Sequence, residues 1–559
     1  MADETPLSKL RTHYRQLQND RRTWEPFWND VKTYIAPERG RGLNAPGDAS
    51  ETNNGTLDDR KRINGTASRA LSTLASGMQS GLTSKARQWF MLTNPDPDLS
   101  KYKPVREWYD QVQEILEGIF RRSNLYSALL HTYIEMAGFG QGAVAILEHP
   151  EKTIHCRPYT TGTYYMSIDK WGEVDTFIQS EWLTVRQILQ LYPEAKLPDY
   201  LESEKTTGQL EKRHEVLNAI LRHPEQYGIP LKEGKEAASV HFLAQAGNND
   251  GFLRVSSYNT WPVMTPRWDA VDNDVYGQAP TRGIMGDAKM LQKMESDALK
   301  GTAKSVSPPW RIPPELERRG LNTQPNALNV VASMSDQAVA PLFTNPINIQ
   351  QLQVKIDRVE QNIKDGLYNS LFLALLTQDN PQMTAREVAE RHEEKLLMLG
   401  PVLERIHYEL LDPLIDRAFN LAWSSGMIPM PPNELRGMPT MIEYVSILSQ
   451  AQKAVGVNRI EQSVGFLGSM VQIYPELRNA LDAYATYDKY NQMIGVRADV
   501  LRSKEEYDKL SAEQAQQQQQ AQQAAMAEPL ANSAKALGEV DTANIRELLS
   551  GTGQGGLVL

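Results

Sequence analysis

Cysteine is almost missing from this chain: Cys156 is alone among 559 residues. A lone thiol excludes an intrachain disulfide and a thiolate metal cluster, and it suits a reducing cytoplasm. Long apolar runs are also missing. None reaches the roughly 18 residues of a membrane span, so no membrane is expected as a partner. The stretch Met1-Ala2-Asp3-Glu4-Thr5-Pro6 lacks the basic and apolar zones of a signal peptide. An excess of positive charge is absent too. Lys and Arg number 59 against 69 Asp and Glu, a net charge of −10 with a pI near 5.6. That balance argues against a chain whose main task is gripping phosphates, which calls for a basic stripe. It leaves open a surface that DNA passes without sticking.

Catalytic signatures are lacking as well. No G-x-x-x-x-G-K-[ST] loop and no G-x-S-x-G elbow occurs. Gly138-Phe139-Gly140-Gln141-Gly142-Ala143 has the dinucleotide spacing, but a helix precedes it and a strand follows, the reverse of the required context. It reads as a Gly-rich turn. His392-Glu393 has no second histidine at zinc-protease spacing, and His407 lies far beyond. Asp272-Asn273-Asp274 opens like a calcium loop and Gly277 matches its sixth position, but Gly283 stands where glutamate is needed. A capping turn fits better. Asn94, Asp96 and Asp98 alternate with prolines and read as a loop. No cofactor, no metal and no enzymatic activity are expected.

What is present is a folded composition, 40% hydrophobic and 23% charged, long enough for several domains and a sizeable core. Leu7 to Ala36 reads as helix with an aromatic face of Trp24, Phe27, Trp28 and Tyr34. Ile63 to Ser84 reads as a small-residue helix, Trp89 to Leu92 as a short strand, and Val105–Arg121 and Tyr126–Ala137 as helices. From Gly142 to Phe177 the pattern turns to short strands. Val185–Leu191 and Glu211–Leu221 read as helices, and 239–264 as further strand. Residues 1–275 are therefore expected to form one mixed α+β domain.

A helix follows the turn at 272–280 and ends near Ser305. Residues 306–346 then hold seven prolines, which favour an irregular module with a strand at Leu328–Met334. Beyond it Ile349, Leu352, Ile356, Val359, Ile363, Leu367, Leu371 and Leu375 mark one face of a helix roughly 40 Å long. Its charges are mixed: Lys355, Arg358 and Lys364 against Asp357, Glu360 and Asp365. They read equally as a solvated face with local ion pairs or as a channel wall. A polar loop, Thr377 to Met383, separates this helix from a second one. The second opens on the capping box Thr384-Ala385-Arg386-Glu387. Its stripe runs through Leu396, Leu399, Leu403, Ile406, Leu410 and Leu414, with kinks or breaks expected at Pro401 and Pro413. Helical patterns return at Met441–Val455, Ile460–Met470 and Leu477–Met493. The Gln/Ala-rich tail from Ser511 is low in complexity, helical or disordered.

This order of parts resembles the portal, or head-to-tail connector, proteins of short-tailed bacteriophages. The resemblance covers nearly the whole chain. It is carried by Trp24-Glu25-Pro26-Phe27-Trp28 to Pro37, by Leu74-Ala75-Ser76-Gly77-Met78 to Trp89-Phe90, and by Tyr276-Gly277 with Gly286-Asp287 and Leu291. Its most specific match is Met383-Thr384-Ala385-Arg386-Glu387-Val388 with Leu399-Gly400-Pro401, Arg405 and Glu409 to Leu414; Leu501 to Glu506 adds a late segment.

The resemblance implies a fold that is mainly α with smaller β parts (α+β), and this map: 1–275 wing, 276–305 first stem helix, 306–346 clip, 347–376 second stem helix, 377–383 tunnel loop, 384–424 long kinked wing and crown helix, 425–510 crown, and 511–559 tail or barrel. It implies a homo-oligomer, a dodecameric ring at the capsid vertex of the virion, assembled in host cytoplasm. Double-stranded DNA would pass through during packaging and ejection. The implied partners are the terminase motor, the major capsid and scaffolding proteins, the tail adaptor and internal core proteins. The implied site residues are Thr377, Gln378, Asp379, Asn380 and Gln382 on the tunnel loop and Lys355, Arg358 and Lys364 on the lumen wall. Trp310, Arg311, Arg318 and Arg319 would serve docking at the clip. An equal expectation for Trp310 is packing between neighbouring clips. Two readings stand outside the family: a cytoplasmic enzyme with a helical regulatory region, for which a convergent catalytic set is missing, and a helical scaffold unrelated to DNA.

Overall fold

A computed structural model of the chain describes residues 5–41, 43, 62–96, 99, 102–248, 250–306, 310–311, 340–341, 349–376, 399–435, 441–444, 463–471, 474, 482–494, 507–514 and 516–517. Two compact units divide it, Met1–Arg459 and Ile460–Leu559. Helices and sheets are mixed in the first, an α+β organisation.

The first unit is built around a five-stranded antiparallel sheet. Its order is β4 (Tyr164–Ile168), β5 (Val174–Thr184), β6 (Arg213–Leu221), β7 (Ala237–Leu243) and β8 (Arg254–Tyr258). Helix α1 (Pro6–Arg21) lays Leu7, Leu10, Tyr14 and Leu17 on one face, against Tyr165, Ile178, Leu217, Val240 and Phe242. Each fully buried aliphatic side chain there contributes about 1.5–3 kcal/mol. Arg11 ties the helix down by donating to the Leu243 carbonyl at 2.7 Å and pairing with Asp250 at 2.6 Å. Thr5 caps it by accepting from the Ser8 N–H.

The opposite face joins the main core. There β2 (Ala143–His149) pairs with β3 (Thr153–Tyr159) and β9 (Val263–Met264). Around them lie α2 (Glu25–Tyr34), α3 (Thr66–Leu82), α4 (Lys103–Arg122) and α5 (Leu125–Phe139). Between α5 and β2, Gly140 adopts φ +96°, and a Cβ there would meet the Gly277 carbonyl oxygen at 2.0 Å. The run Gly138–Ala143 is thus a helix-to-strand turn, closed by the Trp268 N–H on the Gly140 carbonyl at 2.8 Å.

Four expectations change. Leu7–Ala36 is two helices, because the chain turns at Arg22–Trp24 before Pro26 starts α2. Glu211–Leu221 is not a helix: Arg213–Leu221 is the sheet's central strand, bonded to β5 and β7. A short apolar run buried on both faces has no helical or alternating signature of its own. Met441–Tyr444 is a strand, β12, pairing antiparallel with β1 (Phe90–Thr93). The long helix after Asn348 divides into α9 (Ile349–Gly366) and α10 (Asn369–Leu376) at Tyr368, whose φ is +53°.

The Leu328–Met334 strand, the Thr384–Glu387 capping box, His392-Glu393 and Leu501–Glu506 fall outside the described residues. The second unit contributes helical residues 463–471, Ala483–Ile494 and 507–514, with the rings of Tyr484 and Tyr507 5.3 Å apart.

Candidate functional site

Past α6 (Val185–Leu191) and α7 (Asp199–Thr206), helix α8 (Thr281–Val306) packs against α9. Ile284, Ala288 and Leu291 on one helix and Ile356, Val359 and Ile363 on the other are buried, spaced as a single helical face requires. At one end the Ile284 side chain lies directly on Gly366, where a Cβ would be 2.4 Å from Ile284 Cγ2. Beyond the far ends, β10 (Trp310–Arg311) and β11 (Ala340–Pro341) pair antiparallel, Trp310 opposite Pro341. The Pro-rich module therefore leaves and returns through one paired base.

Asn64 fixes this helix pair to α3. Its amide nitrogen donates to Glu295 on α8 at 2.9 Å and to Glu360 on α9 at 2.8 Å. Its side-chain oxygen accepts from the Thr66 N–H at 2.8 Å, beginning α3. Gln292 grips the same stretch, accepting from the Ile63 and Asn64 N–H groups at 2.6 and 2.8 Å and donating to the Asn64 carbonyl. One side chain thus sets the spacing of three helices.

The second anchor holds the long helical segment, which is helical from 399 to 424. A wide π turn at His407–Leu411 sits just ahead of α11 (Asp412–Ser424), whose second residue is Pro413. Pro413 has no N–H to return to the Glu409 carbonyl, so the helix deforms there without ending. Glu409 accepts from the Arg267 backbone N–H at 2.7 Å and from its guanidinium at 2.7 and 3.1 Å. Arg405 adds a contact at 3.4 Å. Arg267 is 7% exposed and Glu409 11%. Arg267 also donates to the Gly172 carbonyl at 2.8 Å, on the turn before β5. Further along, Arg417 donates to the carbonyls of Ile146 and Thr260 at 2.9 and 2.7 Å. Burial lowers the Arg417 pKa; its hydrogen bonds and its place 5.3 Å from the Tyr258 ring centre offset that loss of hydration.

Of the residues singled out from sequence, Lys355 and Arg358 are exposed on α9. Lys364 pairs with Glu360 at 3.7 Å. On the same helix Gln353 donates to Asp357 and Gln361 to Asp365, each one turn apart. Trp310 and Arg311 lie in the paired base of the Pro-rich module. Thr377, Gln378, Asp379, Asn380, Gln382, Arg318 and Arg319 lie outside the described residues. Sequence reasoning missed Asn64, Gln292, Arg267 and Arg417. Only Asn64 carried a signal, as the first residue of an Asn-Gly pair ahead of a helix.

Residues that carry the resemblance meet in space. The Trp28 ring stands edge-on to Tyr276 with centres 5.1 Å apart, and its indole N–H donates to the Phe139 carbonyl. Gly277 faces Gly140. Arg282 lies over Phe27 at 4.8 Å, and Lys289 pairs with Asp30 at 2.6 Å. They are the joints between α2, α5 and the start of the helix pair.

Residues 7–501 match the family described as bacteriophage head to tail connecting protein. The chain belongs to that family. It is 34% identical over 544 residues to the portal protein of Salmonella phage epsilon15. It is 33% identical over 544 residues to the probable portal protein of Bordetella phage BPP-1. Each match covers 97% of this chain and 97% of the relative.

Proposed function

We propose that this chain is a phage portal subunit: a ring of copies, twelve by the family resemblance, at the capsid vertex. DNA enters through it during packaging and leaves through it during ejection. The observation that carries the reading is the end-to-end likeness to two portal proteins. The paired helices that bracket a Pro-rich excursion with a closed base support it. In this reading residues 1–275 are the wing, α8 and α9 the stem, 306–346 the clip, 377–383 the tunnel loop, and 384–510 the crossing helix and crown.

The chemistry asked of such a wall is weak attraction. Each copy brings a net −10, and a closed ring multiplies that into a field that keeps DNA from adhering. Acids and bases interleave on α9, and Lys355 and Arg358 on its exposed face are the candidates for transient phosphate contact. Gln378, Asn380 and Gln382 would add exchangeable hydrogen bonds from the tunnel loop while Asp379 repels. The chain itself is structural. Phosphoryl chemistry belongs to a terminase docked at the clip through Trp310, Arg311, Arg318 and Arg319, later replaced by the tail adaptor. The virion is its location, with capsid, scaffolding and core proteins as further neighbours.

Deleting Gln378–Gln382 tests the reading. Rings should form, seen as annular particles by electron microscopy, while DNA packaging or retention falls. Normal packaging and retention would reject the gripping role; absence of rings in the parent chain would reject the portal reading.

A further inference from the structure

Asn64 is followed by Gly65, and the dipeptide Asn-Gly stands at two places in the chain, 54–55 and 64–65. The pair has a reactivity of its own. A glycine nitrogen, with no Cβ beside it and a freely turning backbone, can attack the preceding side-chain amide. The nearest atom to a Cβ placed on Gly65 would be Arg69 Nη1, at 3.7 Å, so no packed side chain shields the backbone there. Ile63 is 47% exposed, so water reaches the stretch.

In the folded chain the Asn64 amide is fully engaged. Its nitrogen donates to Glu295 and Glu360 at 2.9 and 2.8 Å, and its oxygen accepts from the Thr66 N–H at 2.8 Å. Gln292 holds the backbone of the same residue, accepting from its N–H at 2.8 Å and donating to its carbonyl at 2.9 Å. Loss of ammonia requires the amide nitrogen to leave its planar geometry and take a proton. Two carboxylates that accept its hydrogens hold it planar. Attack by Gly65 therefore waits for the side chain to leave α8 and α9, a local opening.

We infer that Asn64–Gly65 is a site of spontaneous modification governed by this joint: closed, the joint protects the amide; open, it lets the amide convert. The Gly65 nitrogen gives its proton to water and bonds to Asn64 Cγ. The Cγ–Nδ2 bond breaks and the nitrogen departs as ammonia, carrying a proton back from water. A second water opens the five-membered imide at Cγ, giving aspartate, or at the backbone carbonyl, giving isoaspartate. Nothing is oxidised or reduced. The new carboxylate stands where Glu295 and Glu360 had a donor. Two hydrogen bonds become two like-charge contacts, and Lys364, 3.7 Å from Glu360, offsets one of them in part. The product thus keeps α8 and α9 from closing on α3, and each conversion is a permanent record of an opening.

The test incubates the full chain at neutral pH and reads amide-to-acid conversion at Asn64 by peptide mass spectrometry. Conversion in the parent chain should rise roughly tenfold or more on transfer from buffer to denaturing urea; an equal rate in both overturns the inference. Glu295→Ala with Glu360→Ala should speed conversion at Asn64 roughly tenfold in buffer while Asn54, the internal standard, keeps its parent rate. An unchanged rate at Asn64 overturns protection by the joint. So does an equal acceleration at Asn54, which marks general unfolding. Asn64→Asp carries the product charge from the start. Its amides at 284–291 and 356–363 should exchange roughly tenfold faster than the parent's while those of α1 do not change. Parent-like exchange there overturns the claim that the product holds the joint open.

Discussion

Replacing Glu409 by alanine should detach the 399–424 helix from the strands beneath it. The carboxylate takes three hydrogen bonds from Arg267, and both groups are about nine-tenths buried. Removing one partner of such a pair generally costs about 3–5 kcal/mol, because the other charge stays behind without compensation. Here Arg267 keeps the Gly172 carbonyl and a 3.3 Å contact to the Asp274 carbonyl. The lower end, about 3 kcal/mol, is therefore the expected loss. Glu409→Gln retains one acceptor but turns an amide toward a donor, and should lose about 1–2 kcal/mol. The double variant Arg267→Met with Glu409→Leu should recover part of the loss, since no charge remains to be desolvated although the residue-267 backbone N–H still lacks its acceptor. Hydrogen exchange resolved by peptide is the assay. Amides of residues 405–415 should exchange about a hundredfold faster in Glu409→Ala, while those of α1 stay near the parent rate. Unchanged protection across 405–415, or a double variant no better than Glu409→Ala, would refute the reasoning.

Gly77→Ala should destabilise the contact between α3 and α10, because the new methyl would sit 2.4 Å from Phe372; overpacking of this kind costs about 1–3 kcal/mol, and an unchanged urea midpoint would show that the helices can part freely. His241 predicts an acid-sensitive sheet. Burial, with Arg254 and Arg157 nearby, lowers its pKa from 6.5 to about 4. The unfolded chain then binds the proton more tightly, so this stability is present at neutral pH and is lost as pH falls from about 6.5 through about 4. The loss is about 3 kcal/mol at most. His241→Gln should flatten that part of the stability–pH curve, and an undiminished slope in the variant would assign it to other groups.

Helix faces were legible wherever one side of a long element is buried. The stripe Ile356, Val359, Ile363, Leu367 and Leu371 is buried as its spacing required, and Trp89–Leu92 and Val185–Leu191 are strand and helix as expected. The break at Tyr368 was not legible, although Gly366 stands two residues before it: a continuous stripe crosses the break, because α10 keeps packing on α3 after the turn. Strand β6 was illegible for a related reason. Its His214-Glu215-Val216-Leu217-Asn218-Ala219-Ile220-Leu221 has no period to read once both faces are covered.

By itself the sequence determined the class of the chain. A single cysteine, a net negative charge, no nucleotide loop and one helical stripe on each side of a Pro-rich module are properties of order along the chain, and order survives without coordinates. Tertiary structure alone decided the joints. Asn64 meets Glu360 across 296 positions, Arg267 meets Glu409 across 142, and Arg417 meets Ile146 across 271. No local preference of arginine or asparagine announces a partner so distant. Such a contact exists only after burial of the apolar faces has brought the elements together, and burial then makes each polar bond expensive to lose.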